Sequence, residues 1–377
     1  GDRAITLSGA RSLKNAAWVT TATANQWVLN GQVFPTLSSP DSKAYGNTYL
    51  NNGYGNSLFW TDASGLQHHC NHRTSATSAV NGDNFFIDQT TRQIYVGFNP
   101  FNAVSIEFTT NQNIAYDETV DNVALYSLNF DKYGNDSSLT AGLGRGTEQP
   151  GQSWWIENCS ITRFACYGVK MGDFWVMKDC YIGYNGLAGI GGGGGYEHGN
   201  YFLEGSVIEY NNTQRGSGNA GTGHDAGGGK WGKSANIWIR NNLYYRNGGM
   251  AWWADVDCQK AFLEHNSFIY NTRPGIYFEI GKYLLADSNY FFHNGGGGAG
   301  PTNQSLAITT SSFCTVRNNV FVGSNKVGDS TGAGAGLYCE QQNDRYPGII
   351  SDELPITPSW SGGVLTITAN KAVAEAA

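Results

Sequence analysis

The sequence is short of charged residues and methionine, and these shortages exclude several fold classes. Charged residues make up 14% of the 377 residues, with only 3 Met, against an average charged share of about 25%. A coiled coil or an all-helical protein is therefore not indicated. Glycine is abundant, with 51 residues, and aromatics reach 13%. This composition favours an all-β protein, because aromatics suit pleated surfaces and glycine tolerates left-handed turn positions.

Basic runs, long apolar runs and paired cysteine motifs are also missing. A net charge of −7 without a Lys/Arg cluster argues against nucleic acid as a partner. No apolar stretch approaches the roughly 18 residues of a membrane span, and the start GDRAITLSGA lacks a targeting pattern, which indicates a mature chain or an excised segment. The 7 Cys form no Cys-x-x-Cys pair, so they predict no zinc site and permit one or two disulfides. Low charge with many Asn, Ser and aromatic residues favours an extracellular protein, secreted or attached to a surface.

One short segment recurs along the chain. The stretches IRNNLYYRN from Ile239, LEHNSFIYN from Leu263 and ADSNYFFHN from Ala286 superimpose without gaps. The same frame fits five further segments, which start at Leu125, Ile156, Met177, Leu203 and Val316. About eight copies of one structural unit are therefore expected.

The spacing of the copies predicts a solenoid. The fourth residue of each copy is Leu128, Cys159, Cys180, Ser206, Asn242, Asn266, Asn289 or Asn319, and subtraction gives separations of 31, 21, 26, 36, 24, 23 and 30. A unit in the low twenties accommodates three short strands and three turns, and the longer separations then represent loops inserted at the turns. Stacked coils lie about 4.8 Å apart, so the four Asn residues are expected to form an internal amide ladder with a structural role.

This pattern resembles the pectate-lyase-like β-helix superfamily, and more closely the right-handed β-helix repeat proteins secreted by bacteria or carried by their phages. The resemblance covers about Val123 to Glu340, and the segment FFIDQTTRQIYVGFNP from Phe85 to Pro100 is similar to a strand-turn-strand ahead of such helices. It implies an all-β, right-handed parallel β-helix, a single-stranded solenoid with an N-terminal inserted subdomain and Gly-rich turn insertions. It also implies that the chain begins part-way into a longer polypeptide.

Three regions are expected along the chain. Residues 1–122 would form a first coil plus the inserted β subdomain, residues 123–340 the regular coils, and residues 341–377 a C-terminal cap with a strand at Val364 to Asn370. Gly-rich insertions start at Gly189 and Asn211, and a third follows His293. Insertions in a solenoid often emerge on the binding face.

Charged residues concentrate on one predicted stripe. Counting back about ten positions from each repeat anchor, and matching WADVD with FEIG and GIYFE with GLYCE, aligns one column, which contains Lys170, Glu197, Lys230, Asp255, Glu279, Thr309 and Glu340. Trp252, Trp253, Tyr277 and Tyr338 interleave with it. In a chain with so little charge, this column is the leading candidate for a functional site.

Asp255 and Glu279 are the predicted catalytic pair. Carboxylates on adjacent coils would have backbones about 4.8 Å apart, which permits coupled acid/base or nucleophile work on a glycosidic bond with either stereochemical outcome. Lys230 would tune the pair. The alternative is that Lys230, Asp255 and Glu279 form an exposed ladder of alternating charge with no catalytic role.

A lyase would use the same column differently, with Lys170 or Lys230 as the base. Its uronate substrate needs a neutralising cation, and Asp257 is then a possible calcium ligand; otherwise no cofactor and no metal site are predicted. The segment HHCNH at His68 to His72 has no second ligand pair to complete a zinc site. His224, in the longest Gly-rich insertion, and His198 are loop residues that a substrate could reach.

Tryptophans divide into core and surface candidates. Trp238 is assigned to the core, whereas Trp231 and Trp253 flank the charged column. Because neighbouring residues of a strand point to opposite faces, one of Trp252 and Trp253 must lie outside. Trp253 and Tyr277 are predicted sugar platforms, and the remaining substrate contacts are assigned to Trp231, Lys170, Glu340 and His224.

Cys159 and Cys180 share one frame position. Their sulfurs are therefore close enough to stack as buried thiols or to form a disulfide.

Two functions from different classes follow from these features. The first is an extracellular carbohydrate-active protein that cleaves glycosidic bonds of a polysaccharide through Asp255 and Glu279, with a Lys-based polysaccharide lyase as a variant. The second is a non-enzymatic structural or adhesive protein, a phage tailspike or a surface fibre, whose copies associate as a homo-oligomer.

Overall fold

The protein is all-β and winds as a parallel β-helix, as the repeat predicts. This computed structural model describes residues 5–32, 56–73, 75–88, 90–110, 120–134, 141–143, 151–193, 198–213, 226–295, 304–323, 336–340, 356–361 and 364–369. Each coil of the solenoid contributes one strand to each of three sheets, which are called sheets 1, 2 and 3 in the order in which the chain passes through them within each coil from Ala124 onward.

The three sheets run the length of the solenoid. Sheet 1 consists of Ala124–Tyr126, Trp155–Glu157, Val176–Lys178, His198–Glu204, Ser234–Arg240, Gln259–Glu264, Lys282–Asp287, Cys314–Arg317, Val364–Ala369 and Ile356–Ser361. Sheet 2 consists of Ile5–Ser8, Leu128–Asp131, Ser160–Thr162, Tyr181–Gly183, Val207–Glu209, Leu243–Tyr245, Ser267–Ile269, Tyr290–Phe292 and Val320–Val322. Sheet 3 consists of Ala141–Leu143, Tyr167–Met171, Ala188–Gly192, Gly227–Gly232, Trp252–Asp255, Ile276–Glu279, Leu306–Thr309 and Leu337–Glu340.

Strand register follows the sequence repeat. Leu125 pairs in parallel with Ile156, and Ile239 pairs in parallel with Leu263. All four are the first residues of their copies of the repeat. These first residues of the repeat point inward, where Ile156, Ile239 and Leu263 are fully buried in one continuous core. The period of the repeat is therefore the period of the solenoid, because each copy must bury the same apolar face against its neighbours.

Two columns of buried amides line the turns on either side of sheet 2. In the first column the side-chain nitrogen of Asn242 donates to the Oδ1 of Asn266 at 3.1 Å, and Asn266 donates in turn to Asn289 at 3.0 Å. In the second, Asn247 donates to Asn271 at 2.9 Å and Asn271 donates onward at 2.8 Å. Each amide also satisfies backbone groups at the turn, which would otherwise be buried without partners.

The N-terminal part packs around a separate core. Its strands form two sheets of mainly antiparallel pairs, namely Ala10–Ser12, Ser105–Thr109, Leu58–Thr61 and Gln67–His69 in one and Trp18–Thr20, Trp27–Leu29, Gln93–Val96, Asn84–Asp88 and Asn71–His72 in the other. Two single 3₁₀ turns occupy Ala76–Ser78 and Pro100–Asn102. Before this part begins, Ile5–Ser8 pairs in parallel with Leu128–Asp131 and so extends sheet 2 of the solenoid.

The C-terminal strand reverses the direction of sheet 1. Val364–Ala369 pairs antiparallel with both Cys314–Arg317 and Ile356–Ser361. All seven cysteines are free. The thiols of Cys159 and Cys180 each lie 3.6 Å from a backbone carbonyl oxygen, that of Leu125 and that of Ile156 respectively, so stacked thiols rather than a disulfide occupy this frame position. Across the described ranges, no helix combines the length and apolar character needed to cross a membrane.

Candidate functional site

The outer face of sheet 3 holds the charged and aromatic residues singled out in the sequence. Alternation along each strand separates the interior from this face: Trp252 is fully buried in the solenoid core, whereas Trp253 belongs to a second cluster with Met250, Tyr277 and Ala307. One member of the Trp252–Trp253 pair therefore lies outside the solenoid wall, as predicted.

The strand register corrects the predicted column. Lys230 pairs with Trp253, and Asp255 pairs with Gly232, so Lys230 and Asp255 lie in two outward columns rather than one. The error arises because counting back from the anchors with a tolerance of one or two residues spans two outward positions of a strand: Lys230 lies 12 residues before Asn242 (242 − 230), whereas Gly232, the true partner of Asp255, lies 10 residues before it (242 − 232). One column contains Lys170, Gly191, Lys230, Trp253, Tyr277, Ala307 and Tyr338. The other contains Gly232, Asp255, Glu279, Thr309 and Glu340.

Lys230 joins the two columns. Its Nζ lies 3.0 Å from Oδ2 of Asp255 and 3.7 Å from the centroid of the Trp253 ring. The side chains of Lys230 and Asp255 are 13% and 14% exposed, so water screens this pair less than a surface pair. The lysine charge is thus held by a carboxylate on one side and by an aromatic face on the other.

Glu279 lies deeper, one coil further on. The indole nitrogen of Trp253 donates a hydrogen bond to Oε2 of Glu279 at 3.1 Å, and the residue is 1% exposed. Tyr277 stacks on Trp253 with ring centroids 5.7 Å apart, and both residues are 5% exposed. The hydroxyl of Thr309 donates to the Tyr277 hydroxyl oxygen at 3.3 Å.

The network continues to the next coil. Burial raises the pKa of Tyr338, and the hydrogen bond to Glu340 and the negative charge of Glu340 raise it further. Glu340 pairs with Thr309, which itself pairs with Glu279.

Two carboxylates on neighbouring coils therefore have contrasting surroundings. Asp255 faces a lysine, and Glu279 faces aromatic side chains. Carboxyl groups in contrasting surroundings can take different roles within one site.

Several other predicted site residues have different placements. Trp231 lies inside the core and stacks on Trp252 with centroids 5.5 Å apart, so it does not face a ligand on the outer surface. Its position follows from alternation, because Lys230 points outward. Lys170 lies over the Tyr167 ring at 4.4 Å, two coils away from Lys230. Glu197 and His224 are outside the described residues.

The histidine-rich segment of the N-terminal part forms ion pairs. His68 lies between two carboxylates, with its Nε2 3.0 Å from Asp62 and its Nδ1 3.1 Å from Asp83. Within the described residues, no group of three or more His, Cys, Asp or Glu side chains is arranged to hold a metal ion.

A groove on the outer face of sheet 1 was missed in the sequence. Trp238, assigned there to the core, lies outside, because its neighbours Ile237 and Ile239 occupy the interior. The groove has a volume of about 260 Å³ and is lined mainly by Trp155, Val176, Lys178, Phe202, Glu204, Trp238 and Arg240. The alternating segment NIWIR could have predicted this position, since two isoleucines that point inward require the tryptophan between them to face outward.

Comparison with known proteins identifies the solenoid. A family model described as a right-handed β-helix region matches residues 147–344, more than half of the chain. No curated protein matches the chain.

Three solved structures are similar. One is PfbA, a surface adhesin of Streptococcus pneumoniae, with 9% identity and a TM-score of 0.36 over 67% of this chain; the chain spans 65% of that structure. Another is the catalytic unit of a thermostable GH87 α-1,3-glucanase from Streptomyces thermodiastaticus, with 8% identity and a TM-score of 0.21, covering 88% of this chain and 95% of the other. The third is a GH87 α-1,3-glucanase catalytic domain in complex with tetrasaccharides, with 9% identity and a TM-score of 0.19, covering 88% and 96%.

Proposed function

The chain belongs to the family of proteins with a right-handed β-helix region, and from that premise we propose that it is an extracellular protein that cleaves glycosidic bonds of a polysaccharide. This fold supports many activities, so the proposal depends on the site rather than on the family. The observation that carries it is the pair of linked contacts on adjacent coils: Lys230 to Asp255 at 3.0 Å, and Trp253 to Glu279 at 3.1 Å.

Each residue has a distinct role in the proposed reaction. Asp255 and Glu279 act as the two carboxyl groups of a glycosidase, one protonating the leaving oxygen and the other acting as base or nucleophile. Lys230 balances the charge of Asp255, and Trp253 orients Glu279 through its indole N–H. Trp253 and Tyr277, each 5% exposed, back the two carboxyl groups with aromatic surface.

The same contacts do not support a lyase that uses Lys230 as its base. A general base must reach the proton of its substrate, whereas the Lys230 amine is held between the Asp255 carboxylate and the Trp253 ring.

Substitution of the two carboxylates tests the hydrolase. Incubation of the purified protein with a panel of neutral polysaccharides should release reducing ends, and D255N and E279Q should each lower that rate by at least about a hundredfold, the range for an acid/base group. Reducing-end assays measure the rate, and absorbance of unsaturated sugars would reveal a lyase instead.

A matched control separates chemistry from folding. E264Q removes a carboxylate on the outer face of sheet 1 in the coil that follows Asp255 and should leave turnover unchanged. Full turnover by E279Q with an unchanged melting temperature would contradict the assignment of Glu279.

Burial of the site favours a second candidate, a non-enzymatic surface protein. Glu279 is 1% exposed, and Trp253 and Tyr277 are 5% exposed, which is also what a purely structural polar network requires. In that case D255N and E279Q lower the melting temperature, and the wild-type protein releases no reducing ends from any polysaccharide. Self-association into fibres, measured by light scattering, would further support this candidate.

A further inference from the structure

An outward column of sheet 1 is an aromatic stack with one missing ring. Strand pairing aligns Trp155, Val176, Phe202, Trp238 and Phe262 on successive coils. Phe202 and Trp238 stack with centroids 4.5 Å apart and planes within 4°. Trp238 and Phe262 continue the stack at 5.5 Å. Only the position of Val176 interrupts the row of rings.

The gap has the height of one ring. Trp155 and Phe202 lie two coils apart, or about 9.6 Å, since coils repeat every 4.8 Å or so. A ring placed midway would lie about 4.8 Å from each neighbour, close to the spacing found for Phe202 and Trp238. One face of Phe202 covers Trp238, so its other face is directed toward Val176. We call this gap, with Val176 as its floor, the Val176 slot.

The slot is open to solvent on its aromatic walls. Trp155 is 39% exposed and Phe202 is 41% exposed, in contrast to the 5% exposure of Trp253 and Tyr277 on sheet 3. Large exposed aromatic surfaces facing one groove are characteristic of a binding site.

The polar rim of the slot is electrically balanced. Strand pairing places Glu157, Lys178, Glu204 and Arg240 in the next outward column, with alternating sign. Arg240 binds Glu204 through two hydrogen bonds of 3.0 and 3.2 Å, and the indole of Trp155 donates to Glu157 at 2.8 Å. This rim offers hydrogen-bond donors and acceptors without an excess of positive charge, which suits hydroxyl groups better than carboxylates or phosphates.

We propose that the Val176 slot binds one pyranose ring of a neutral glycan between Trp155 and Phe202. The faces of the ring pack on the two aromatic side chains, and its equatorial hydroxyls reach Lys178, Glu204 and Arg240. The site is non-catalytic and lies on a different sheet from Asp255 and Glu279. It therefore goes beyond the proposed hydrolysis and does not depend on it.

Filling the slot tests the proposal. V176F inserts the missing ring of the stack, so it should reduce glycan affinity at least about tenfold while keeping or raising the melting temperature. W155A removes one wall and should reduce affinity similarly. Binding is measured on an array of neutral and acidic oligosaccharides, followed by calorimetry with the tightest ligand found.

L285F is the matched control, because Leu285 follows Phe262 in the same column and lies outside the slot. It should bind glycan as the wild type does. E279Q should also bind normally, which separates this site from the proposed hydrolase. Loss of turnover with retained glycan binding supports both assignments. Normal turnover with retained glycan binding contradicts only the assignment of Glu279 and still supports the slot.

Three results would overturn the proposal. They are no binding of the wild type to any neutral glycan, equal binding by V176F and W155A with the wild type, or binding of free indole at the slot in place of sugars. The last result would identify an aromatic side chain of a protein partner as the occupant.

Discussion

Individual charged side chains in this protein lie beside carboxylate or aromatic partners. Lys230 lies against Asp255 and the Trp253 ring, and His68 lies between Asp62 and Asp83. Residue types with this chemistry could be selected from the sequence, but their partners could not. Lys230 was aligned with Asp255 in one column, whereas the actual contact runs diagonally between columns.

His68 should make stability depend on pH. Burial lowers the pKa of His68, but hydrogen bonds to Asp62 and Asp83 and their negative charges outweigh burial, so the pKa lies above its ordinary value of 6.5. The stabilisation is complete below the unfolded pKa and is lost as pH rises through the higher folded pKa. From about pH 6 to pH 8, the urea midpoint of the wild type should therefore fall relative to that of H68Q.

The comparison with H68Q removes the contribution of the neighbouring histidine. Burial and the positive charge of Arg163 lower the pKa of His69 to about 3, which acts in the opposite direction on stability but is common to both proteins. Parallel curves for the wild type and H68Q across this range would show that the ion pairs of His68 do not contribute.

The turns between sheets 1 and 2 depend on the first amide column, that of Asn242, Asn266 and Asn289. The residue before each anchor is left-handed, with φ of 56° at Asn241, 56° at His265 and 54° at Ser288. Such a backbone is unfavourable for residues with a Cβ. The anchor amides compensate by binding backbone groups at the turn: Asn266 donates to the Ile239 carbonyl at 2.8 Å and accepts from the Asn242 N–H at 3.0 Å.

Removing one amide should destabilise the whole solenoid. N266A leaves buried donors of Asn242 and the Ile239 carbonyl without partners, at an expected cost of about 3 kcal/mol in the free energy of unfolding. Urea denaturation followed by circular dichroism measures the change. N129A is the control, because Asn129 makes one long bond of 3.4 Å to Thr6 at the surface and should cost less than about 0.5 kcal/mol. Equal costs for both variants would contradict the structural role of the column.

In the molecule as a whole, a buried ion cluster connects the N-terminal part to the solenoid. Asp131 accepts hydrogen bonds from Arg163 at 2.7 Å and Thr162 at 3.0 Å. Lys132 lies 2.8 Å from Glu107 of the N-terminal part and 3.4 Å from Asp131. Asp131 and Lys132 are 7% and 6% exposed, so each charge depends on its partners for solvation.

Breaking this cluster should loosen the N-terminal part first. D131A leaves Arg163 and Lys132 without their shared carboxylate and should lower the free energy of unfolding by about 3 kcal/mol. Hydrogen exchange should rise in Ser105–Thr109, the strand that carries Glu107. E264A, a carboxylate deletion on sheet 1, should cost no more than about 1 kcal/mol. Unchanged exchange in Ser105–Thr109 would show that the cluster does not join the two parts.

The predicted sites agree with the structure only where alternation alone decides. It required one of Trp252 and Trp253 to face outward, and Trp253 does. Alternation does not by itself say which face of a strand is interior. From the sequence, Trp231 was therefore placed outside and Trp238 inside, whereas in the structure Trp231 lies in the core and Trp238 on the outer face. The flanking isoleucines of Trp238 show that local apolar neighbours resolve this ambiguity.

The amino-acid order is sufficient to specify the solenoid, because a repeated apolar frame must stack on copies of itself to leave water, and this sets the strand order and the register of sheet 1. It also selected Lys230, Trp253, Asp255, Tyr277 and Glu279, which share the outer face of sheet 3, but it added Trp231, which lies in the core. Side-chain contacts between coils required the folded chain, since the number of residues between a sheet 3 strand and its repeat anchor differs from coil to coil. The Lys230–Asp255 diagonal follows from such a difference, the burial of Glu279 from side chains of neighbouring coils, and the gap at Val176 from the stacking of coils along one column. Each is a relation between residues that are distant in sequence and one or two coil spacings apart in space.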